Sequence, residues 1–180
     1  MKRQAIFAAA LLLAGCATSS PSPEAAPSAR ALRAPVVRSI SVSPAQYVST
    51  ASSGSLYVIM ASQLVAGRQG ATRLGNVARQ FASEQEGVGS QLSFAGRRLN
   101  LLPQARLDAA HQAMLDALAT SPDPAGTYVR QMSELLPRLA AFHRQYQRYG
   151  TSPTLRPVAA MAAPVFEREA AQLRGLRSRR

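Results

Sequence analysis

The sequence lacks most of the residue patterns that mark an enzyme. Its 180 residues include one cysteine and no tryptophan, so neither an intramolecular disulfide nor a cysteine pair for a metal can form. It contains no Gly-x-Ser-x-Gly nucleophile elbow and no Gly-rich phosphate loop, and no serine has a base at a diagnostic spacing. We therefore expect no catalytic residue and no cofactor.

Long apolar runs are also missing. The run from Ala5 to Ala14 follows Lys2 and Arg3, and about ten residues span only about 15 Å as a helix, half of the hydrocarbon core of a bilayer. This run is too short to cross a membrane, but a basic start followed by a short apolar segment is typical of a signal peptide. We expect residues 1–15 to be a lipoprotein signal peptide.

The chain's one cysteine lies at the end of that segment, in Leu13-Ala14-Gly15-Cys16. This pattern is similar to a bacterial lipobox, which predicts lipidation of Cys16 and acyl chains such as palmitate; several chains anchor stably where one does not. Ala17 replaces the aspartate that retains enterobacterial lipoproteins in the inner membrane, so we expect the outer membrane, facing the periplasm. The alternative is an ordinary secretory signal with an incidental cysteine.

Acidic residues are scarce, with 9 Asp and Glu against 21 Lys and Arg, a net charge of +12. A basic protein outside the cytoplasm meets lipid phosphates and anionic glycans rather than nucleic acid. We expect a basic surface that binds such polyanions, with the C-terminal residues Arg174, Arg177, Arg179 and Arg180 contributing. The alternative is a solvated arginine-rich surface without a ligand.

What remains is a tether and one domain. Residues 16–43 are rich in Ser, Ala and Pro, a composition typical of linkers. Ser43-Pro44-Ala45-Gln46 then predicts a helix start, with Ser43 as N-cap, proline at the first helical position and Gln46 completing a capping box. We expect a helical bundle over residues 44–176 and a basic tail over residues 177–180.

Apolar residues within this domain recur at steps of three and four, the helical period. The predicted helices cover residues 44–66, 71–99, 105–119 and 125–149 and a segment after Pro153, with Gly67 ending the first and with kinks at Pro137 and Pro164. Four long helices and one short one predict an all-α bundle. A coiled coil is the alternative, but every seam breaks at Gly or Pro after three or four heptads.

Several landmarks resemble, in order and spacing, the bacterial domain of unknown function 4142. They are Tyr47-Val48, Ala51, Gly54, Leu64-Val65-Ala66, Val77-Ala78, Phe81, Leu92, Leu102-Pro103, Tyr128 and Pro164. The resemblance implies a ferritin-like fold in a secreted or membrane-attached protein without an assigned reaction.

The departures from this family concern its polar site. Typical members have a glutamate in the first helix, an Asp-His pair in the second, and a histidine in each of the fourth and fifth. The corresponding residues here are Tyr57, Glu84-Gln85, Leu136 and Glu169. Dinuclear centres in ferritin-like bundles use Glu-x-x-His pairs, and this chain has none. We therefore expect a degenerate, metal-free site in which Gln85 and Tyr57 donate hydrogen bonds to Glu169, unless a rotated fifth helix exposes Glu169 to water.

Three hypotheses about function follow. The first is a non-enzymatic envelope lipoprotein that acts through protein or envelope contacts, with a protein partner or a second copy of itself. The second is an arginine-rich binder of acidic lipids or glycans. The third is a metal-binding or redox bundle with atypical ligands, for which His143 and Glu169 would be tested first. We expect His111 and His143 to pack or face solvent, and Ser53 and its neighbouring serines to be small packing or surface residues.

Overall fold

The computed structural model describes residues 42–177, which form five α-helices and no strand within that range. Cys16, the tether before residue 42, Arg179 and Arg180 lie outside the described residues. The predicted all-α bundle of four long helices and one short helix is confirmed. The helices are α1 (Pro44–Gln69), α2 (Arg73–Arg97), α3 (Ala109–Ala119), α4 (Pro124–Tyr149) and α5 (Arg156–Arg177).

Local sequence sets most of the helix ends. The side-chain oxygen of Ser43 accepts a hydrogen bond from the backbone N–H of Gln46 at 3.2 Å, and proline occupies the first turn, as predicted. At the other end, α1 passes through Gly67 and stops at Gly70, where φ is 57°. The predicted end at Gly67 is wrong because Gly67 stays helical and the chain leaves the helix at Gly70, whose positive φ is open to glycine without strain.

The third helix starts later than the sequence predicts. Its N-cap is Asp108, whose carboxylate accepts from the backbone N–H of His111 at 2.9 Å. Residues 99–108 are instead non-helical and connect α2 to α3. At the end of α2, Asn100 has φ 56° and the backbone N–H of Leu101 donates to the carbonyl of Gly96. This is the Schellman type of helix end, which asparagine tolerates. Pro137 and Pro164 lie inside α4 and α5, which continue through them.

Hydrogen bonds between helices fix the direction of each helix. Tyr57 bonds Gln131 and Ser62 bonds Tyr128, so the residue number rises on α1 as it falls on α4 and the two helices are antiparallel. The same holds for α2 and α5. Short turns make α1–α2 and α4–α5 antiparallel hairpins, so α2 and α4 run in the same direction. One long crossover, residues 98–123, therefore spans the bundle and contains α3.

The buried apolar side chains form two clusters. The larger lies in the middle and at the end where α4 begins, and the smaller lies where α1 begins and α4 ends. Among residues 42–177, no helix is long and apolar enough to cross a membrane. The polar residues discussed below lie between and beside these clusters.

Candidate functional site at the polar centre of the bundle

Two buried polar residues meet in the middle of the bundle. Gln85 on α2 and Glu169 on α5 are both fully buried, and the amide nitrogen of Gln85 donates to both carboxyl oxygens of Glu169 at 3.0 Å. Both residues lie on the inward seam of their helices, so the four-and-three spacing positions them. The structure thus brings together these two family-site residues, and Glu169 is not in water.

Burial changes the protonation of Glu169. Loss of solvation raises the pKa of its carboxyl to about 8, against the lowering effect of the Gln85 hydrogen bond. The neighbouring carboxyl of Glu84 raises this pKa further, and the charge of Arg168 lowers it. Glu169 therefore carries a proton at neutral pH, because its neutral form costs less in an apolar interior.

Tyr57 does not belong to this pair. Its hydroxyl donates to the side-chain oxygen of Gln131 at 2.7 Å, and its ring stacks on His111 with centroids 5.4 Å apart. The expected hydrogen bond from Tyr57 to Glu169 is wrong, since the single hydroxyl proton is already used. Burial raises the pKa of Tyr57 above its ordinary value, so the hydroxyl stays protonated and remains a donor.

These side chains do not fit a dinuclear metal site. The amide of Gln85 occupies both oxygens of Glu169 with N–H donors, and Leu136, where the resemblance implies a histidine, contributes buried hydrocarbon. Within the described range no three His, Cys, Asp or Glu side chains are grouped as metal ligands. A metal would need oxygen lone pairs and imidazoles aimed at one point. The carboxyls of Glu169 and Glu84 are neighbours at the polar centre, but the oxygens of Glu169 face the amide N–H groups of Gln85 and no His, Cys, Asp or Glu of the described chain completes a group of three ligands.

A second polar group surrounds His143, near the end where α1 begins. His143 is almost fully buried, its ring stacks on Phe166 at 5.1 Å, and its Nδ1 lies 2.9 Å from the hydroxyl of Tyr47. Burial lowers the pKa of His143 to about 4. The imidazole is therefore neutral. Its Nδ1 is hydrogen-bonded to the hydroxyl of Tyr47, and its Nε2 has no partner among the described residues. Of the two environments expected for this histidine, packing and solvent, the structure shows packing.

A third group ties the crossover to α1. The hydroxyl of Ser53 donates to the carboxylate of Asp108 at 2.8 Å and accepts from the Asp108 backbone N–H at 2.9 Å. Nδ1 of His111 lies 2.8 Å from both side chains. The expectation that Ser53 only packs or faces solvent is wrong. Its partners lie 55 and 58 residues later in the chain, so no local motif reveals them.

This Ser-His-Asp group does not have the geometry of a catalytic triad. In a triad the serine and the aspartate contact opposite nitrogens of the imidazole, so that one nitrogen accepts the serine proton while the aspartate holds the N–H of the other. Here Ser53 and Asp108 both contact Nδ1 of His111. Burial acts to raise the pKa of Asp108, but hydrogen bonds from His111 and Ser53 and the charge of His111 outweigh it and lower the pKa. The group is a charged helix cap rather than an activated nucleophile.

The expected basic surface is only partly visible. Arg174 is exposed near the end of α5, Arg177 is the last residue of that helix, and Arg179 and Arg180 lie outside the described residues. Most exposed arginines of the described chain lie outside this C-terminal segment. Twelve arginines of the described chain are exposed, namely Arg68, Arg73, Arg79, Arg97, Arg98, Arg106, Arg130, Arg138, Arg148, Arg156, Arg168 and Arg174.

A known protein family matches most of the chain. The family described as Domain of unknown function (DUF4142) matches residues 29–176. This range includes all five helices except the last residue of α5, Arg177. It therefore contains Gln85, Glu169, His143 and Ser53. No curated protein and no solved structure matches the chain.

Proposed function

The chain belongs to the family of domains of unknown function DUF4142, and from this premise we propose that it is a lipid-anchored protein of the bacterial envelope. In this proposal Cys16 is acylated, residues 16–43 are a tether, and the bundle stands on the periplasmic face of the outer membrane. The protein acts by binding protein or envelope partners rather than by catalysing a reaction. The bundle's single long crossover supports a ferritin-like assignment, since ferritin-like folds have one such connection.

The observation that carries a contact function is the Gln85–Glu169 pair. The polar residues at the centre are directed at one another and are enclosed, with both side chains fully buried. A substrate that needed Glu169 would have to displace the amide of Gln85 and open the packed interior. The arginines, by contrast, lie mainly on the surface of the described chain, where twelve of them are exposed.

The experiment compares membrane retention of the wild type with that of Cys16→Ser. We expect wild-type protein in the membrane fraction, resistant to high salt and alkali, and the variant either unprocessed or released. Thr18→Ser is the matched control, because it leaves the cysteine in place. Membrane-bound, fully processed Cys16→Ser would refute lipid anchoring, and stoichiometric iron or zinc retained by the wild type through dialysis would refute the metal-free contact function.

A second candidate function is binding of acidic lipids or glycans through the arginines. This candidate is favoured because most exposed arginines have no carboxylate partner within the protein. The described residues contain one arginine–carboxylate ion pair, Arg144 with Glu167 at 2.7 Å. Surface arginines that neutralise no protein carboxylate are available to external anions, and their effect would be screened by salt. Loss of binding between low and physiological salt would support this candidate.

A further inference from the structure

One end of the bundle differs in composition from the rest, and we call it the tether end because α1 begins there. The smaller apolar cluster defines it, with the first residues of α1 and α5 and the last residues of α2 and α4 packed together. Its buried members are Tyr47, Val48, Ala51, Leu92, Ala95, Tyr146, Leu155, Val158 and Ala159, with Val42, Leu99, Leu101 and Phe142 packed against them. The chain that precedes Ser43 therefore joins the bundle at this end.

The segments that meet at the tether end contain no acidic residue. Residues 42–83, 87–107 and 135–166 include neither Asp nor Glu. Four arginines there are exposed, at positions 97, 98, 148 and 156. The first acidic residue after the third of these segments is Glu167, and its carboxylate already forms an ion pair with Arg144. Since these segments contain no carboxylate to offset the arginines, we expect a positive electrostatic potential at this end.

Large apolar side chains are exposed at the same end. Phe94 is 58% exposed, Leu102 66% and Tyr149 60%, and these are the three most exposed large hydrophobic residues of the described chain. Phe94 lies one turn before the end of α2, Leu102 follows that helix, and Tyr149 ends α4. Aromatic and aliphatic side chains beside arginines are the composition of surfaces that lie in the headgroup region of a bilayer.

We propose that the tether end docks on the anionic phospholipid surface to which the chain is anchored, with Arg97, Arg98 and Arg148 on lipid phosphates and Phe94, Leu102 and Tyr149 entering the headgroup layer. This rests on the proposed envelope location. It places the contact away from the C-terminal tail, because α5 runs from the tether end to the opposite end, about 33 Å at 1.5 Å per residue. Lipid is favoured over a soluble glycan because a glycan would use the arginines but give no reason for the exposed apolar side chains.

The first test measures binding of residues 16–180, produced without the signal peptide and with Cys16→Ser so that no acyl chain is added, to vesicles of phosphatidylglycerol and phosphatidylcholine. One variant combines Arg97→Gln, Arg98→Gln and Arg148→Gln. The control, with the same charge change at the opposite end, combines Arg73→Gln, Arg130→Gln and Arg174→Gln. An arginine at an anionic surface strengthens binding about fivefold, so the first variant should lose on the order of 100-fold and the control little.

Each other outcome overturns the proposal. Equal losses in both variants would mean diffuse attraction of a basic protein, and a loss confined to the control would move the contact to the tail. Circular dichroism confirms that both variants are folded. Because the test protein has no acyl chain, its failure to bind would refute docking but not anchoring, which the fractionation of Cys16→Ser tests separately.

The second test uses the absence of tryptophan. Tyr149→Trp places a single indole at the tether end, and Met60→Trp places one within α1, about 24 Å along the helix from its first residue. With phosphatidylglycerol vesicles we expect a blue shift and protection from iodide for Tyr149→Trp and no change for Met60→Trp. The same shift at both positions, or none at position 149, would overturn the proposal.

Discussion

The amide nitrogen of Gln85 lies 3.0 Å from each carboxyl oxygen of Glu169, while the amide oxygen of Gln85 has no partner in the described chain. The raised pKa of Glu169 keeps its carboxyl protonated at neutral pH, so the carboxyl has an O–H to donate. The carboxyl of Glu84 also hydrogen-bonds Glu169, and this contact raises the pKa of Glu169. The pair of Gln85 and Glu169 therefore holds no buried charge at neutral pH.

The first prediction concerns this proton. The pKa of Glu169 is about 8 in the folded protein and about 4.5 in the unfolded chain. Its contribution to stability is therefore full below pH 4.5 and is lost as the pH rises through 8, at up to about 1.4 kcal/mol per pH unit. We expect Glu169→Gln to remove this loss and to raise the melting temperature at pH 9 but not at pH 4.5. The neighbouring Glu167→Gln is the control, and an unchanged pH profile in Glu169→Gln would contradict the assignment.

The second prediction concerns His143, whose pKa of about 4 lies below the ordinary value of 6.5. Its contribution to stability is present above pH 6.5 and is lost as the pH falls through 4, by about 3 kcal/mol at most. Nitrogen NMR of the two histidines should show His143 as the neutral Nε2–H form from pH 8 to pH 5, with Nδ1 accepting from Tyr47. Tyr47→Phe should shift the Nδ1 resonance and leave His111 unchanged. Protonation of His143 near pH 6.5 would show that the ring is accessible to water.

The third prediction concerns the close approach of α1 and α4. A Cβ atom on Gly54 would lie 2.6 Å from a methyl carbon of the buried Leu139, whereas Gly87 on α2 is exposed and has open space around it. We expect Gly54→Ala to destabilise the protein by about 1 to 3 kcal/mol through overpacking. Gly87→Ala should stabilise it by up to about 1 kcal/mol, because alanine favours a helix. Urea unfolding measures both changes, and a stabilising Gly54→Ala would show that Leu139 moves without cost.

The fourth prediction concerns the link between α1 and the crossover. Ser53→Ala removes the acceptor of the Asp108 N–H and one donor to its carboxylate. We expect a loss of about 1 to 2 kcal/mol and faster hydrogen exchange at the start of α3. The control is Ser52→Ala, since the hydroxyl of Ser52 bonds only a carbonyl of its own helix. If exchange in α3 were unchanged by Ser53→Ala, the hydrogen bonds of Ser53 would not be what holds the start of α3.

Helical period explains which of these contacts the sequence reveals. Gln85 and Glu169 could be paired in advance because each lies on the inward seam of a long helix, and helices in one bundle direct their seams at a common axis. Tyr57 is also buried, but its hydroxyl meets Gln131 because that pairing depends on the relative shift of α1 and α4. Periodicity identifies the inward face of a helix and carries no information on its axial position.

The contacts of the crossover could not be predicted from the sequence, for a different reason. Ser53 meets Asp108 only because residues 98–108 turn back along α1 from the end of α2. That path depends on the left-handed Asn100 and on the contact of Gly96 with Leu101, where a Cβ would lie 2.1 Å from the Leu101 carbonyl oxygen. Such a turn has no periodic pattern, so the late start of α3 and the cluster it forms could not be predicted.

The crossover also divides the chain into two halves that differ in how they fold. The α1–α2 and α4–α5 hairpins are each made of contacts close in sequence, which form quickly, whereas α1 meets α4 and α2 meets α5 only after the long loop has closed. Cleavage within residues 102–106 would leave each hairpin on its own fragment. Two such fragments, mixed in solution, should reassemble into the native bundle at a rate proportional to their concentration, with Ser53 on one and Asp108 on the other.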